Sequence, residues 1–174
     1  MTGKMENSTE AGNGNSSPVD VFSGSKVVKE VQQERYLGDI LSCDGKNQKN
    51  ITARKNKGTG IITQIMSILE DICFGNYYFQ VAIILRNSLL ISSLLSNAEG
   101  WYKLTKSEIE ELESVDERLL RKVLESPVST PKEMLYLELG VLPIGFIIRM
   151  RRLHFLKYIL DEDENSLIHT FLKA

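Results

Sequence analysis

The chain has 174 residues, a formal net charge of −2, 42% hydrophobic and 25% charged side chains, the balance of an ordinary globular protein. That length can bury a core without disulfides or a metal, and the charge excludes a histone-like polycation. Two cysteines, Cys43 and Cys73, and two distant histidines, His154 and His169, exclude a disulfide scaffold and a structural zinc site of four closely spaced ligands.

Residues 1–18 are rich in Gly, Asn, Ser and Thr, show no hydrophobic period, and are read as a disordered tail. They contain no apolar leader core, so a cytoplasmic or nuclear protein is expected. Val19–Phe22, Lys26–Val31 and Tyr36–Leu41 are short β-rich runs, with turns expected at Ser23-Gly24-Ser25 and Asp44-Gly45. Residues 19–45 therefore predict a small antiparallel β element, too small to stand alone.

From Asn47 the period becomes helical. Ile51, Ile62, Ile65 and Leu69 form one stripe. Gly58 and Gly60 each weaken that helix by about 1 kcal/mol and mark either a break or a close backbone approach. Phe74-Gly75-Asn76 is expected to end it. A second helix, from about Tyr77 to Ser96, carries Val81, Ile84, Leu85, Leu89 and Leu95 and is apolar around most of its girth. Gln80, Arg86 and Asn87 interrupt it, so it falls short of the ~20 apolar residues of a membrane span. A central, buried bundle helix is expected, and no membrane partner.

Thr105-Lys106-Ser107-Glu108 reads as a capping box opening a third helix with the stripe Ile109, Leu112, Val115, Leu119 and Val123. Its acids Glu108, Glu110, Glu111, Glu113, Asp116 and Glu117 read as a solvated face. A short fourth helix is predicted with Thr130 as cap, Pro131 in the first position, Glu133 completing the box and Gly140 at the C-terminal end. A fifth runs from near Pro143 to about Leu160 on Ile144, Ile147, Ile148, Phe155 and Ile159. Asp161–Glu164 breaks it, and Ser166–Leu172 begins another. The fold class is thus mainly α: a helical bundle over 46–174, preceded by the β element and the tail.

The chemistry is sparse. No Gly-x-x-x-x-Gly-Lys loop and no Gly-x-Ser-x-Gly elbow occurs. Cys43 stands beside Asp39 and Asp44, which disfavour a thiolate, and His154 reads as a polar position beside the core. The charge, however, is uneven. Residues 35–60 carry six cations against two acids, +4, and residues 127–160 carry five against two, +3. Two basic islands in an acidic chain predict a localised anionic partner.

An ordered series of short blocks runs along the chain: Tyr36-Leu37-Gly38-Asp39-Ile40-Leu41-Ser42-Cys43-Asp44-Gly45, then Asn50-Ile51 to Arg54, and Lys57-Gly58. It continues with Leu85-Arg86-Asn87-Ser88, Trp101-Tyr102 to Leu104-Thr105, Leu112-Glu113-Ser114-Val115-Asp116, Ser129-Thr130-Pro131, Leu135-Tyr136-Leu137-Glu138-Leu139-Gly140 and Arg151-Arg152-Leu153. In order and spacing the series resembles the reverse transcriptases of LINE-type, non-LTR retrotransposons, in the part that follows the polymerase active site. The resemblance covers about four-fifths of the chain; residues 1–26 do not share it.

The resemblance implies a closing edge of the palm over 19–45 and a helical thumb over 46–174. Tyr36, Leu37 and Gly38 fall in the block that contributes to the primer grip. It also implies what is missing. The family's aromatic-x-Asp-Asp turn, part of a two-metal site, does not occur in these 174 residues, nor do the fingers, most of the palm and the family's zinc knuckle. Phosphoryl transfer needs that metal clamp, so no catalytic residue, no metal, no cofactor and no small-molecule substrate is expected. The expected function is that of a catalytically inactive palm-end and thumb segment that binds an RNA–DNA or DNA duplex weakly, without sequence preference. Lys46, Arg54 and Lys57 form the expected phosphate-facing row, with Arg149 and Arg152 on the fifth helix. Arg151 lies nearer Phe155, with a carboxylate such as Glu138 as the expected partner. The alternative is a helical interaction module, docking a protein through an exposed palm-facing surface, or a non-functional remnant, in either case without nucleic-acid binding. Convergence of Arg54, Lys57 and Arg149 on one concave surface favours the first; scattered charges beside an open apolar face favour the second.

Overall fold

The computed structural model describes residues 21–23, 26–28, 31–72, 77–101 and 103–162. The expectations for the 1–18 tail, the turn at residues 24–25, the break at 73–76 and the helix at 166–172 lie outside the described residues. The chain divides into two compact units, Met1–Val31 and Gln32–Ala174. In the first, β1 (Val21–Ser23) and β2 (Lys26–Val28) pair antiparallel, with Val21 opposite Val28.

The second unit is mainly helical. It begins with a hairpin of β3 (Gln33–Tyr36) and β4 (Asp39–Ser42), in register Gln33↔Ser42 to Tyr36↔Asp39. The expected single strand over Tyr36–Leu41 is corrected here: Leu37 and Gly38 turn the chain, with φ of +47° and +91°. Both central residues at positive φ make the tight turn whose twist matches paired strands. Gly38 adopts this at no steric cost and Leu37 does not. A second turn follows where expected, the Gly45 N–H donating to Ser42 O at 3.0 Å.

Helix α1 (Gln48–Ile72) runs unbroken through both glycines. A Cβ at Gly58 would lie 2.8 Å from Val115 Cγ1, whereas one at Gly60 would meet nothing. Gly58 is therefore the close approach, and no break exists. Helix α2 (Tyr78–Leu85) passes into a π-helical stretch, Arg86–Ile91, and then α3 (Ser92–Leu94). A 3₁₀ turn at Ala98–Gly100 leads to α4 (Lys106–Val123), α5 (Lys132–Glu138) and α6 (Ile144–Asp161).

The buried stripe of the second helical segment is Ala82, Arg86, Leu90 and Leu94. Steps of four residues drift around an α-helix; the wider π turn takes up the drift and keeps them on one side. The apolar residues expected inside are displaced accordingly. Ile84 is 63% exposed, while Arg86, expected to interrupt the stripe, is 2% exposed.

Ile51, Ile62, Ile65 and Leu69 of α1 pack with Leu112, Val115 and Leu119 of α4 as the centre of the core, closed by Leu135, Ile144 and Ile148. The capping box at Thr105 forms as expected: Glu108 N–H donates to Thr105 Oγ1 at 3.2 Å, and Thr105 N–H to Glu108 Oε2 at 2.7 Å. The expected box at Thr130 does not. Pro131 occupies the cap position, and Thr130 turns instead to Ser126 Oγ, from which it accepts at 2.8 Å, and to Arg121 through its carbonyl. Gly140 closes α5 at φ +61°, as its sequence position predicts.

The acidic run of α4 is not a solvated face. Glu108 caps the helix, Glu111 pairs Lys55 of α1 at 3.7 Å, and Glu113 pairs Lys132 at 3.3 Å while accepting the Gly145 N–H at 3.2 Å. Asp116 meets Arg86, and Glu117 meets Arg121 at 2.6 Å. Only Glu110, paired with exposed Lys106 at 3.7 Å, conforms to the expectation.

Candidate nucleic-acid interface

The first basic island is built on α1 and the chain leading into it. Between Gly45 and Leu69 there is no acid, and five cations: Lys46, Lys49, Arg54, Lys55 and Lys57. Helical geometry divides them. Lys49 and Lys57 are exposed on the outer face with Asn56, Gly60 and Gln64. Lys46, in the connector before α1, is 78% exposed and lies 3.8 Å from Asp44, an ion pair that water screens.

Arg54 corrects the expected phosphate row. It points inward and is 6% exposed. Its guanidinium donates to Asp39 Oδ1 and Asn50 Oδ1, to the carbonyls of Ser93 (2.7 Å) and Leu94 (3.3 Å), and to Ser96 Oγ (2.7 Å). Its Cζ stands 4.9 Å from the centre of the Trp101 ring. A guanidinium so buried and so engaged is turned away from any phosphate outside the fold.

The second island is likewise divided. Arg152 donates to the Trp101 carbonyl at 2.5 Å, and its Nε is buried without a partner. Arg151 donates to the Leu95 carbonyl at 2.5 Å, in place of the expected carboxylate. Both tie α6 to the segment after α3. Arg149 is exposed, 5.8 Å from the centre of the Phe146 ring. Helix α4 turns Glu111 and Arg118 toward α1, and Ile109 and Glu113 toward the start of α6. These are opposite sides of α4, so Arg149 stands apart from Lys57, whereas Arg54, Arg151 and Arg152 all bind the segment from Ser93 to Trp101 within the fold.

At the hairpin tip Tyr36 and Leu37 are 62% and 76% exposed. Next to them Asp39 is buried beneath four donors: Asn50 Nδ2 (2.8 Å), Arg54, Trp101 Nε1 (3.3 Å) and Asn97 Nδ2 (3.1 Å). Burial pushes its carboxyl up, but the hydrogen bonds from Arg54, Asn50 and Asn97 outweigh that and hold it below the ordinary aspartate range. Asp116 shows the opposite balance. It is 0% exposed, and Arg86 Nε and Nη2 grip it bidentately at 2.7 and 2.6 Å. Burial nevertheless dominates and raises its pKa. The Tyr136 hydroxyl, buried near this pair, is pushed far above its ordinary range by burial and by Asp116.

Two features were not predicted from the sequence. One is the Asp39 cluster. Its members lie up to 62 residues apart, and the only signal was an Asp and an Arg placed at apolar boundaries. The other is an apolar groove of about 980 Å³ between α4, α5 and α6, with Ile109, Val141, Leu142 and Phe146 in its lining and Lys106, Glu133 and Arg149 at its edge. Leu153, Leu156 and Leu160 extend the exposed apolar surface along α6. Among the described residues no cluster of His, Cys, Asp and Glu could hold a metal, and no helix is long and apolar enough to cross a membrane. No known family, curated protein or solved structure matches the chain.

Proposed function

We propose that this chain is the palm-end and thumb segment of a LINE-type reverse transcriptase, with no catalytic site among its own residues, and that it holds a nucleic-acid duplex weakly through the outer face of α1. What supports the reading is where the blocks of the resemblance meet. The block around Asp39, the block at Asn50–Arg54 and Trp101 come together in one buried cluster. Arg86 and Asp116, from two further blocks, form the buried bidentate pair, and Gly58 seats Val115 of another. Several of the quoted residues are thus among those that hold the fold.

The duplex contact falls to Lys46, Lys49 and Lys57, along a stretch of 25 residues free of acids. Three phosphate contacts predict micromolar or weaker affinity and a log–log salt slope of about −0.9 per contact. Fluorescence anisotropy with a short RNA–DNA duplex at several salt concentrations tests this. Lys49→Ala and Lys57→Ala together should flatten the slope by about two contacts. Absence of binding at low salt would remove the nucleic-acid half of the proposal.

One observation favours a second reading, a helical module that docks a protein. Arg54, Arg151 and Arg152 are bound to backbone carbonyls within the fold, and α6 carries exposed Leu153, Leu156 and Leu160 beside an open groove. An uncovered apolar face of this kind marks a contact surface. Binding to a protein partner with no affinity for the duplex would establish this reading over the first.

A further inference from the structure

We infer that Asp39 is a positioning residue: it latches the β3–β4 hairpin to the helical body and thereby fixes Arg35, Tyr36 and Leu37 relative to the lysines of α1. The latch stands on geometry alone; its consequence for nucleic acid rests on the duplex-binding reading above.

The hairpin has little else to hold it. Two strands of four residues are marginal in water. Gln33 to Gly38 are all exposed, as is Leu41, and Ile40 is only half-buried. A cavity of about 520 Å³, bordered by Tyr36, Leu41, Lys46, Asn97 and Trp101, lies where an apolar anchor would sit. Across this gap reach the four hydrogen bonds to the Asp39 carboxylate and one long bond, 3.4 Å, from Ile40 N–H to Asn50 Oδ1.

The receiving side is built without the hairpin. Arg54 is fixed by Ser93 O, Leu94 O and Ser96 Oγ, and Trp101 is 7% exposed within the core. The donors therefore stay aimed at one point, and a single carboxylate fits among them. Charge-assisted hydrogen bonds of this kind are the strong ones. Removing the carboxylate leaves Arg54 four acceptors on the body, Asn50 Oδ1, Ser93 O, Leu94 O and Ser96 Oγ, so the body keeps its form while the hairpin loses its hold. The hairpin carries exposed Arg35 at its tip and leads into Lys46. Its pose decides whether these cations meet the same phosphate backbone as Lys49 and Lys57.

Hydrogen exchange on the full chain, for wild type, Asp39→Ala and the shape-conserving Asp39→Asn, tests the latch. Amides of residues 33–42 should exchange about tenfold or more faster in both variants, the loss of charged hydrogen bonds, while α4 amides keep their protection. In the salt titration the variants should lose about 0.9 of slope for each hairpin contact released, and Lys57→Ala should still subtract its own contact. A merely structural role would lower protection in α4 in step with the hairpin; that result, or unchanged hairpin exchange, would overturn the inference. If wild type binds no duplex, the duplex reading falls, and the exchange result still decides the latch.

Discussion

Arg86 and Asp116 show how much one residue pair can hold. Both are fully buried, the bond is bidentate, and the second guanidinium nitrogen also reaches the Leu142 carbonyl at 3.0 Å. The pair thus joins the π-stretch, α4 and the entry to α6. Taking two charges out of water costs several kcal/mol per ion, and their attraction only roughly offsets it. Removing one partner strands the other. Asp116→Ala should therefore destabilise by about 3–5 kcal/mol, whereas the paired replacement Arg86→Met with Asp116→Leu should come within about 1–2 kcal/mol of wild type or exceed it. Urea unfolding of the three proteins checks this, and equal losses in single and double variants would show that the pair contributes through its shape and not its charge. Neither residue looked structural in the sequence. Arg86 stood out as an interruption of an apolar helix, and Asp116 as one acid in a run of six. A charged residue's burial is decided by a partner 30 positions away, which no local period can reveal.

At the scale of the element, the two glycines of α1 separate propensity from packing. Both cost the helix backbone entropy, by about 1 kcal/mol relative to Ala. At Gly60 a Cβ meets nothing, so Gly60→Ala should stabilise by about 0.5–1 kcal/mol. At Gly58 the added carbon would lie 2.8 Å from Val115 Cγ1 and 3.0 Å from Leu94 Cδ2. Overpacking there costs about 1–3 kcal/mol, so Gly58→Ala should be destabilising on balance. Thermal unfolding of the two variants should shift in opposite directions. Sequence identified both glycines and offered two explanations; only the neighbouring helix distinguishes them. The same division runs through the other elements. Where the deciding contact is local, the sequence reads well: the Thr105 box, the turn at Gly45, the stripe of α1 and the end of α5 at Gly140. Where it comes from afar, it does not. Thr130 had the right neighbours for a cap, yet Arg121 and Ser126 claim its oxygens. Tyr36–Leu41 had the composition of a strand, yet positive φ at Leu37 and Gly38 folds it into a hairpin. The row of Lys46, Arg54 and Lys57 was legible as a basic island and misleading as a surface, because Asp39 and the carbonyls after Ser92 lie outside the helical period that defined it.

For the whole second unit, two of the buried carboxylates, Asp39 and Asp116, set an order of events in acid. Asp39 has its pKa held below 3.8 in the fold. A group depressed by folding contributes stability that is present above its unfolded pKa and is lost as pH falls through that value toward the folded one. The loss therefore begins near pH 4, close to the ordinary aspartate range, and deepens below it. Asp116 runs the other way: its folded pKa is raised by burial, so it is no part of the loss that the depressed Asp39 carboxyl brings. The hairpin, which depends on Asp39, should consequently loosen before the α1–α2–α4 core does. Trp101 reports the first step, because its indole N–H donates to Asp39 and its ring lies over Arg54. Tryptophan fluorescence should begin to change below about pH 4 while helical circular dichroism is retained, with helix loss following at lower pH. Trp101 is the chain's single tryptophan, so the signal has one source. In Asp39→Asn the early fluorescence step should vanish, since no proton remains to be taken up there, and the helix transition should stay. Coincident loss of both signals in wild type would mean that the hairpin and the bundle unfold as one cooperative unit, and that the carboxylate at Asp39 is part of the core's stability and not a latch upon it.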